Sequence, residues 1–201
     1  NTSVGTNALD NNHTADNKTA VGYAALGANS TGASNTAVGS NALDANTTGI
    51  QNVAVGSNTL SANTTASYNV AIGRSALASN TTGTYNVAVG AFALDSNVTH
   101  SRNTAVGYNS LSANITNDNT CLGHNTMPSS TTAYDNVAIG SETLQDLSTG
   151  IGNVGVGRIV LGDNTTGQFN TGIGYITLRV NTTGNNNTAY GISALASNTT
   201  A

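Results

Sequence analysis

Charge is scarce in this chain. Only 7% of its 201 residues are charged, where globular domains usually carry about a quarter. Five Lys and Arg stand against nine Asp and Glu, a net charge of −4. No basic face can neutralise phosphates, which argues against nucleic-acid binding, and no apolar run approaches bilayer length, which argues against membrane insertion. Aromatic residues make up 4% of the chain and Trp is missing, so a thick core of large side chains cannot be built. A single cysteine, Cys121, rules out an intrachain disulfide. Stability must come from another device.

That device is a repeat. Glycines recur every 17 residues from Gly5 through Gly22, Gly39, Gly56, Gly73 and Gly90 to Gly107. After one shortened step to Gly123, the spacing resumes at Gly140, Gly157, Gly174 and Gly191, giving twelve copies. A fixed short period is the signature of a solenoid. Four residues before each Gly stands Asn, with Lys18 the one exception. Three before it is Thr or Val, two before it is usually Ala, and one before it is apolar, from Val4 to Tyr190. Four after it comes Leu, replaced once by Met127. Seven after it comes Asn in ten copies, and nine after it comes Thr in all twelve.

The Asn-(Thr/Val)-Ala-(Val/Ile)-Gly stretch reads as a short strand with one face inward, and the Thr-Gly segments read as turns. Apolar positions do not recur at helical spacing, which excludes a helical repeat. The expected fold is all-β: a parallel β-solenoid of about twelve 17-residue coils, forming one domain over residues 1–201. Coils pairing backbone to backbone at ~4.8 Å give a rod roughly 55 Å long. Val ladders and Leu ladders fill its core, and Asn ladders bridge its turns. Pro128, which cannot donate to a ladder, belongs in a turn or bulge. The repeat runs in phase from Asn1 with no polar cap, so the chain is expected to be a segment of a longer fibre or a subunit that stacks end to end.

Asn and Thr together make ten in-column sequons, at Asn12, Asn29, Asn46, Asn63, Asn80, Asn97, Asn114, Asn164, Asn181 and Asn198, with others at Asn1, Asn17 and Asn186. In a secreted chain these are N-glycosylation acceptors on a surface turn; alternatively they are an Asn-Thr turn ladder that carries no sugar. The regular threonines raise ice binding, but adjacent residues such as Thr47 and Thr48 face opposite ways, so they cannot form a two-rank plane. Metal and cofactor sites find no support. His13, His100 and His124 occupy different columns, and Asp10, Asp44 and Asp95 share one too sparsely. Cys121 stands in an Ala column as a small packed residue, and no nucleophile, base and orienting group recur together, so no enzyme activity is expected. The tyrosines and phenylalanines flanking the strand read as lateral packing or as a sugar- or receptor-binding surface.

The motif Asn-Val-Ala-Ile-Gly at Asn69–Gly73 and Asn136–Gly140, with variants at Asn52–Gly56 and Asn86–Gly90, resembles the head repeats of trimeric autotransporter adhesins and repeat regions of bacteriophage tail fibres. That resemblance implies a left-handed parallel β-roll, commonly trimeric, displayed at a surface to bind host matrix or other cells. A plant ice-binding β-roll family with Asn-x-Val-x-Gly repeats is also similar. The period of 17 is longer than the adhesin heads have, and no binding residue of those families maps onto this chain. The expected function is a structural or adhesive fibre or filament subunit, extracellular or at a cell surface, binding by multivalent contacts. The expected partners are copies of itself, in a filament or trimer, together with host surface, matrix or glycans. An ice-binding solenoid and a viral receptor-binding fibre shaft are the alternatives.

Overall fold

The computed structural model describes residues 1–12 and 14–200. The chain falls into two compact units, Asn1–Arg102 and Asn103–Ala201. Among the described residues of the first unit are six three-residue strands: β1 (Thr2–Val4), β2 (Thr19–Val21), β3 (Thr36–Val38), β4 (Val53–Val55), β5 (Val70–Ile72) and β6 (Val87–Val89). The second unit holds β7 (Thr104–Val106), β8 (Thr120–Leu122), β9 (Val137–Ile139), β10 (Val154–Val156), β11 (Thr171–Ile173) and β12 (Thr188–Tyr190). Within each unit every strand pairs in parallel with its sequence neighbour, like residue on like residue, as in Thr19↔Thr36, Ala20↔Ala37 and Val21↔Val38. Each unit is thus a parallel β-solenoid. No helix long and apolar enough to cross a membrane occurs among the described residues.

The glycine that ends each strand has two reasons to be glycine. Its φ lies far in the positive region, +137° at Gly22 and +139° at Gly39, where side chains clash with their own backbone. A Cβ on Gly22 would also sit 2.5 Å from the Gly39 carbonyl oxygen in the next coil. Beyond the glycine the chain turns through further left-handed residues two and four positions on, such as Asn41 (φ 54°) and Leu43 (φ 52°). Asn tolerates that conformation; Leu adopts it at a cost of about 1–2 kcal/mol. Leu43 is buried, which contributes about 1.5–3 kcal/mol, and its N–H donates to Thr59 O at 3.0 Å. Burial wins, and the Leu column faces inward as expected, with Leu26, Leu43, Leu60, Leu77 and Leu94 fully enclosed in the first unit.

The Val column does not fill the core. The strand instead turns its middle residue inward: Ala20, Ala37, Ala54, Ala71 and Ala88 are fully buried, while the β-branched residues on either side are half-buried or exposed. The reason is space. A narrow coil already filled by Leu leaves room for little more than a methyl group opposite. Two copies carry glycine at the inward strand position, facing Thr143 and Val160 three positions after the strand-ending glycine, whereas the coils that follow Thr59 and Thr126 in that column keep alanine. A Cβ on Gly155 would lie 2.6 Å from Thr143 Cγ2, and one on Gly172 would lie 2.6 Å from Val160 Cγ1.

The shortened copy is absorbed in one loop. Asn114 Nδ2 donates to the Thr116 carbonyl, two residues on, at 2.8 Å, where other copies reach three residues on, as from Asn80 to Gly83 at 3.0 Å. Pro128 sits in a turn and its carbonyl accepts the Ala113 N–H at 3.2 Å, so its missing donor leaves that rung of the ladder intact.

Candidate functional site

Two asparagine columns run inside the coils, the strand-start one unbroken in the second unit and the one seven after the glycine interrupted there by Ser130 and Leu147. In the column seven after the glycine, Asn46 Nδ2 donates to Asn29 Oδ1 at 2.7 Å and to Gly49 O at 3.0 Å. Asn63 repeats the pattern onto Asn46 at 2.8 Å and Ala66 O at 3.1 Å. In the column at the strand start, Asn52 N donates to Asn35 Oδ1 at 2.9 Å, and Asn52 Nδ2 to Ala66 O at 2.8 Å. Both ladders converge on one loop carbonyl per coil: Gly49 O accepts from Asn46 and, at 2.7 Å, from Asn35. Buried amides that share partners in this way satisfy each other and fix the register of the coils.

This places the sequon residues. Asn29, Asn46, Asn63, Asn80, Asn97, Asn114, Asn164 and Asn181 are fully buried, with side-chain N–H groups used inside the coil, so they are ladder residues and not surface turn positions. Asn12 and Asn198 are half-buried, and Asn1, Asn17 and Asn186 are exposed. The sequence left two readings open for these residues, acceptors on a surface turn or an Asn-Thr turn ladder, and the buried amides belong to a ladder. The Asn-x-Thr motif is local and does not reveal which way its first residue points.

The threonine pair divides between the stack and solvent. The hydroxyl eight after the glycine bonds coil to coil, Thr47 Oγ1 to Thr64 O at 3.0 Å and Thr165 Oγ1 to Thr182 O at 3.1 Å. The next threonine, at Thr48, Thr65, Thr82, Thr149 and Thr166, is exposed, giving a single outward rank.

The outward surface that the sequence reading missed is the strand face. Two ranks, at the first and third strand residues, stand side by side: Thr36 with Val38, Val53 with Val55, Val70 with Ile72, and Val87 with Val89 in the first unit. The second unit continues the pattern with Val137 and Ile139, Val154 and Val156, and Thr171 and Ile173. Ile72 and Leu122 keep 41% and 46% of their surface. The signal lay in the neighbouring columns. Ala two before the glycine and Asn four before it share strand parity, and a buried amide ladder needs the interior.

Aromatic residues stack along the coils instead of entering them. Tyr68 and Tyr85 lie parallel with centroids 5.0 Å apart, and Tyr108 stacks on His124 at 5.6 Å. The Arg74 guanidinium covers the Phe92 ring at 4.9 Å.

The titratable groups are dispersed. Among the described residues no three of His, Cys, Asp and Glu gather as metal ligands; His13 lies outside those residues. Burial raises the Cys121 thiol well above its usual range, which leaves it a packed, unreactive side chain. Burial also raises the Asp44 and Asp95 carboxyls and lowers His100. Lys18, the exception in the strand-start Asn column, is buried, and its Nζ donates to Asn12 Oδ1. Comparison of the chain with protein-family models, with curated proteins and with solved structures returned no match.

Proposed function

We propose that this chain is a structural or adhesive element of an extracellular fibre or filament, at a cell surface or on a virion, and that it performs no catalysis. One observation carries the reading: each unit presents two ranks of mostly β-branched side chains on its strand face, such as Val53, Val55, Val70 and Ile72, that its own fold leaves half-buried or exposed. Where valine and isoleucine fill both ranks, from Val53 to Val89 and from Val137 to Val156, the strip is contiguous and apolar, which marks an interaction surface. Its regular step suits a second copy of the same chain, which would present an equivalent ribbon. The resemblance of the Asn-Val-Ala-Ile-Gly motif to adhesin head and tail-fibre repeats supports trimeric or filamentous assembly. The rank of exposed threonines and the stacked tyrosines then form surfaces repeated on every copy, through which weak contacts to matrix, glycan or host surface gain strength by number.

The test is the size of the native material. Light scattering and negative-stain electron microscopy on the full chain should show trimers or filaments. The double variant Val55→Lys, Val89→Lys should dissociate them with an unchanged circular dichroism spectrum. A wild-type chain that stays monomeric at every accessible concentration refutes the reading.

A second reading, ice binding, is favoured by the strict register of the same two ranks, where Thr36 stands on Thr19 and Thr171 on Val154. It requires thermal hysteresis in a nanolitre osmometer, and a freezing point equal to the melting point dismisses it.

A further inference from the structure

We propose that Lys18 and Asn12 become joined by an intramolecular amide bond between their side chains, formed by the chain on itself with release of ammonia. The starting point is the one break in an otherwise uniform column. Eleven copies begin the strand with Asn; the second begins it with Lys18. Only 2% of its surface is exposed. It cannot supply the side-chain acceptor through which each Asn receives the backbone N–H of the next coil, as Asn35 receives that of Asn52. Its longer side chain crosses to the other internal ladder instead and donates to the carboxamide oxygen of Asn12. Asn29, which by the pattern of Asn46 on Asn29 would reach Asn12, bonds Gly32 O at 3.0 Å. As a plain replacement, lysine therefore disturbs both ladders.

As a nucleophile, Lys18 is well placed. A buried ammonium is strongly disfavoured unless paired, and burial lowers the pKa of Lys18, with the charge of Asp16 opposing. The neutral amine is the reactive form. Asn12 offers an electrophilic carbon bonded to the oxygen that Nζ already touches. Holding the two together replaces a bimolecular encounter with a positioned one, for which effective molarities of about 10⁵–10⁸ M are reached. In the step, the Nζ lone pair attacks Asn12 Cγ, the Nζ–Cγ bond forms and the Cγ–Nδ2 bond breaks. Nδ2 departs as ammonia, carrying the proton that Nζ loses. One amide replaces another, so no oxidant or co-reactant is needed. The product closes the loop from residue 12 to residue 18 and covalently ties the two internal ladders at the second coil.

The experiment is an intact-mass measurement on the denatured full-length chain. The expected mass is lower than the sequence mass by one ammonia. Fragmentation should yield no ions from cleavage between residues 12 and 18, because a single break inside a closed loop releases nothing. Lys18→Met and Asn12→Ala should each restore the full mass. An unmodified wild-type mass overturns the proposal. So does an ammonia loss that persists in Lys18→Met, since that marks an asparagine cyclising on its own backbone.

Discussion

Asn63 and Thr65 are two halves of one sequon, and the fold treats them oppositely. Asn63 is buried and takes part in three ladder bonds: onto Asn46 Oδ1 at 2.8 Å, onto Ala66 O at 3.1 Å, and from Asn80 Nδ2 at 3.1 Å. Thr65 is exposed. Alanine at either position abolishes the sequon equally. If the motif serves a surface glycan, the two variants should behave alike. If it serves the ladder, they should diverge widely. At about 1 kcal/mol net for each lost bond, Asn63→Ala costs about 3 kcal/mol. The Asn46 acceptor left buried without its donor pushes the cost higher. Ala66 O keeps its bond from Asn52 at 2.8 Å, which limits the damage. Thr65→Ala should stay within about 0.5 kcal/mol of wild type. Urea denaturation of bacterially produced chain gives the comparison. Because repeat proteins lose stability locally, hydrogen exchange should also quicken between residues 46 and 80 in Asn63→Ala alone. Equal effects of the two substitutions, large or small, would refute the assignment of Asn63 to an internal ladder.

Further outcomes follow from the same geometry. Gly73→Ala would place a Cβ 2.6 Å from the Gly90 carbonyl carbon at φ +127° and should cost at least ~3 kcal/mol. Gly27→Ala, in a column where Ala78 already stands, should be near neutral; thermal melts that fail to separate the two would contradict the close approach of coils. Gly172→Ala should destabilise through Val160, and adding Val160→Ala should recover most of the loss, a coupling readable in a double-mutant cycle. Asp44 is held above its ordinary carboxylate pKa, first by burial, with backbone N–H bonds from its own residue and Ala45 opposing. A folded pKa raised above the unfolded one means that this group's favourable contribution, present at acid pH, is lost as pH rises through the folded value. Asp44→Asn should accordingly be more stable than wild type at neutral pH, with the gap closing as pH falls below the carboxylate range near ~3.9. A gap that does not change with pH would count against it.

The period, the parallel pairing and the inward Leu were legible because each rests on a quantity the sequence displays directly: spacing, β-branching and bulk. The direction of the strand face was not. A three-residue strand such as Val53–Val55 offers only two parities, and hydrophobicity favours the wrong one, since two valines outvote one alanine. Steric room decides in the other direction, and its trace in the sequence is faint: Gly155 and Gly172 appear where Thr143 and Val160 face them. The left-handed backbone at Leu43 was equally hidden, because intrinsic preference opposes it and only the completed stack, through burial and the bond to Thr59, sustains it. For the sequons the difficulty was of another kind. Asn-x-Thr has one local appearance whether its amide points to solvent or into a ladder, and only neighbours 17 residues away distinguish the two.

These constraints divide the columns by what they can tolerate. Five interior positions, the strand-start Asn, the inward Ala, the glycine, the Leu and the second Asn, are constrained by close approach, volume or amide pairing, and vary in few copies, as at Lys18, Cys121, Met127, Ser130 and Leu147. The position after the glycine holds Tyr23, Arg74, His124, Arg158 and Ile192, and the one five before it holds Gln51, Tyr68, Asp135 and Phe169. Exchanges at the exposed position after the glycine usually change stability by no more than about 0.5 kcal/mol, while the position five before it, left-handed at Tyr68 (φ 63°), also selects for residues that tolerate that backbone. The variable columns can therefore acquire binding chemistry without disturbing the stack, and the stack presents whatever they acquire at a constant step. The outward columns, where copies differ, are thus the part of the chain where side chains can change without cost to the stack. The interior sameness that makes the repeat visible fixes only where those differences are displayed.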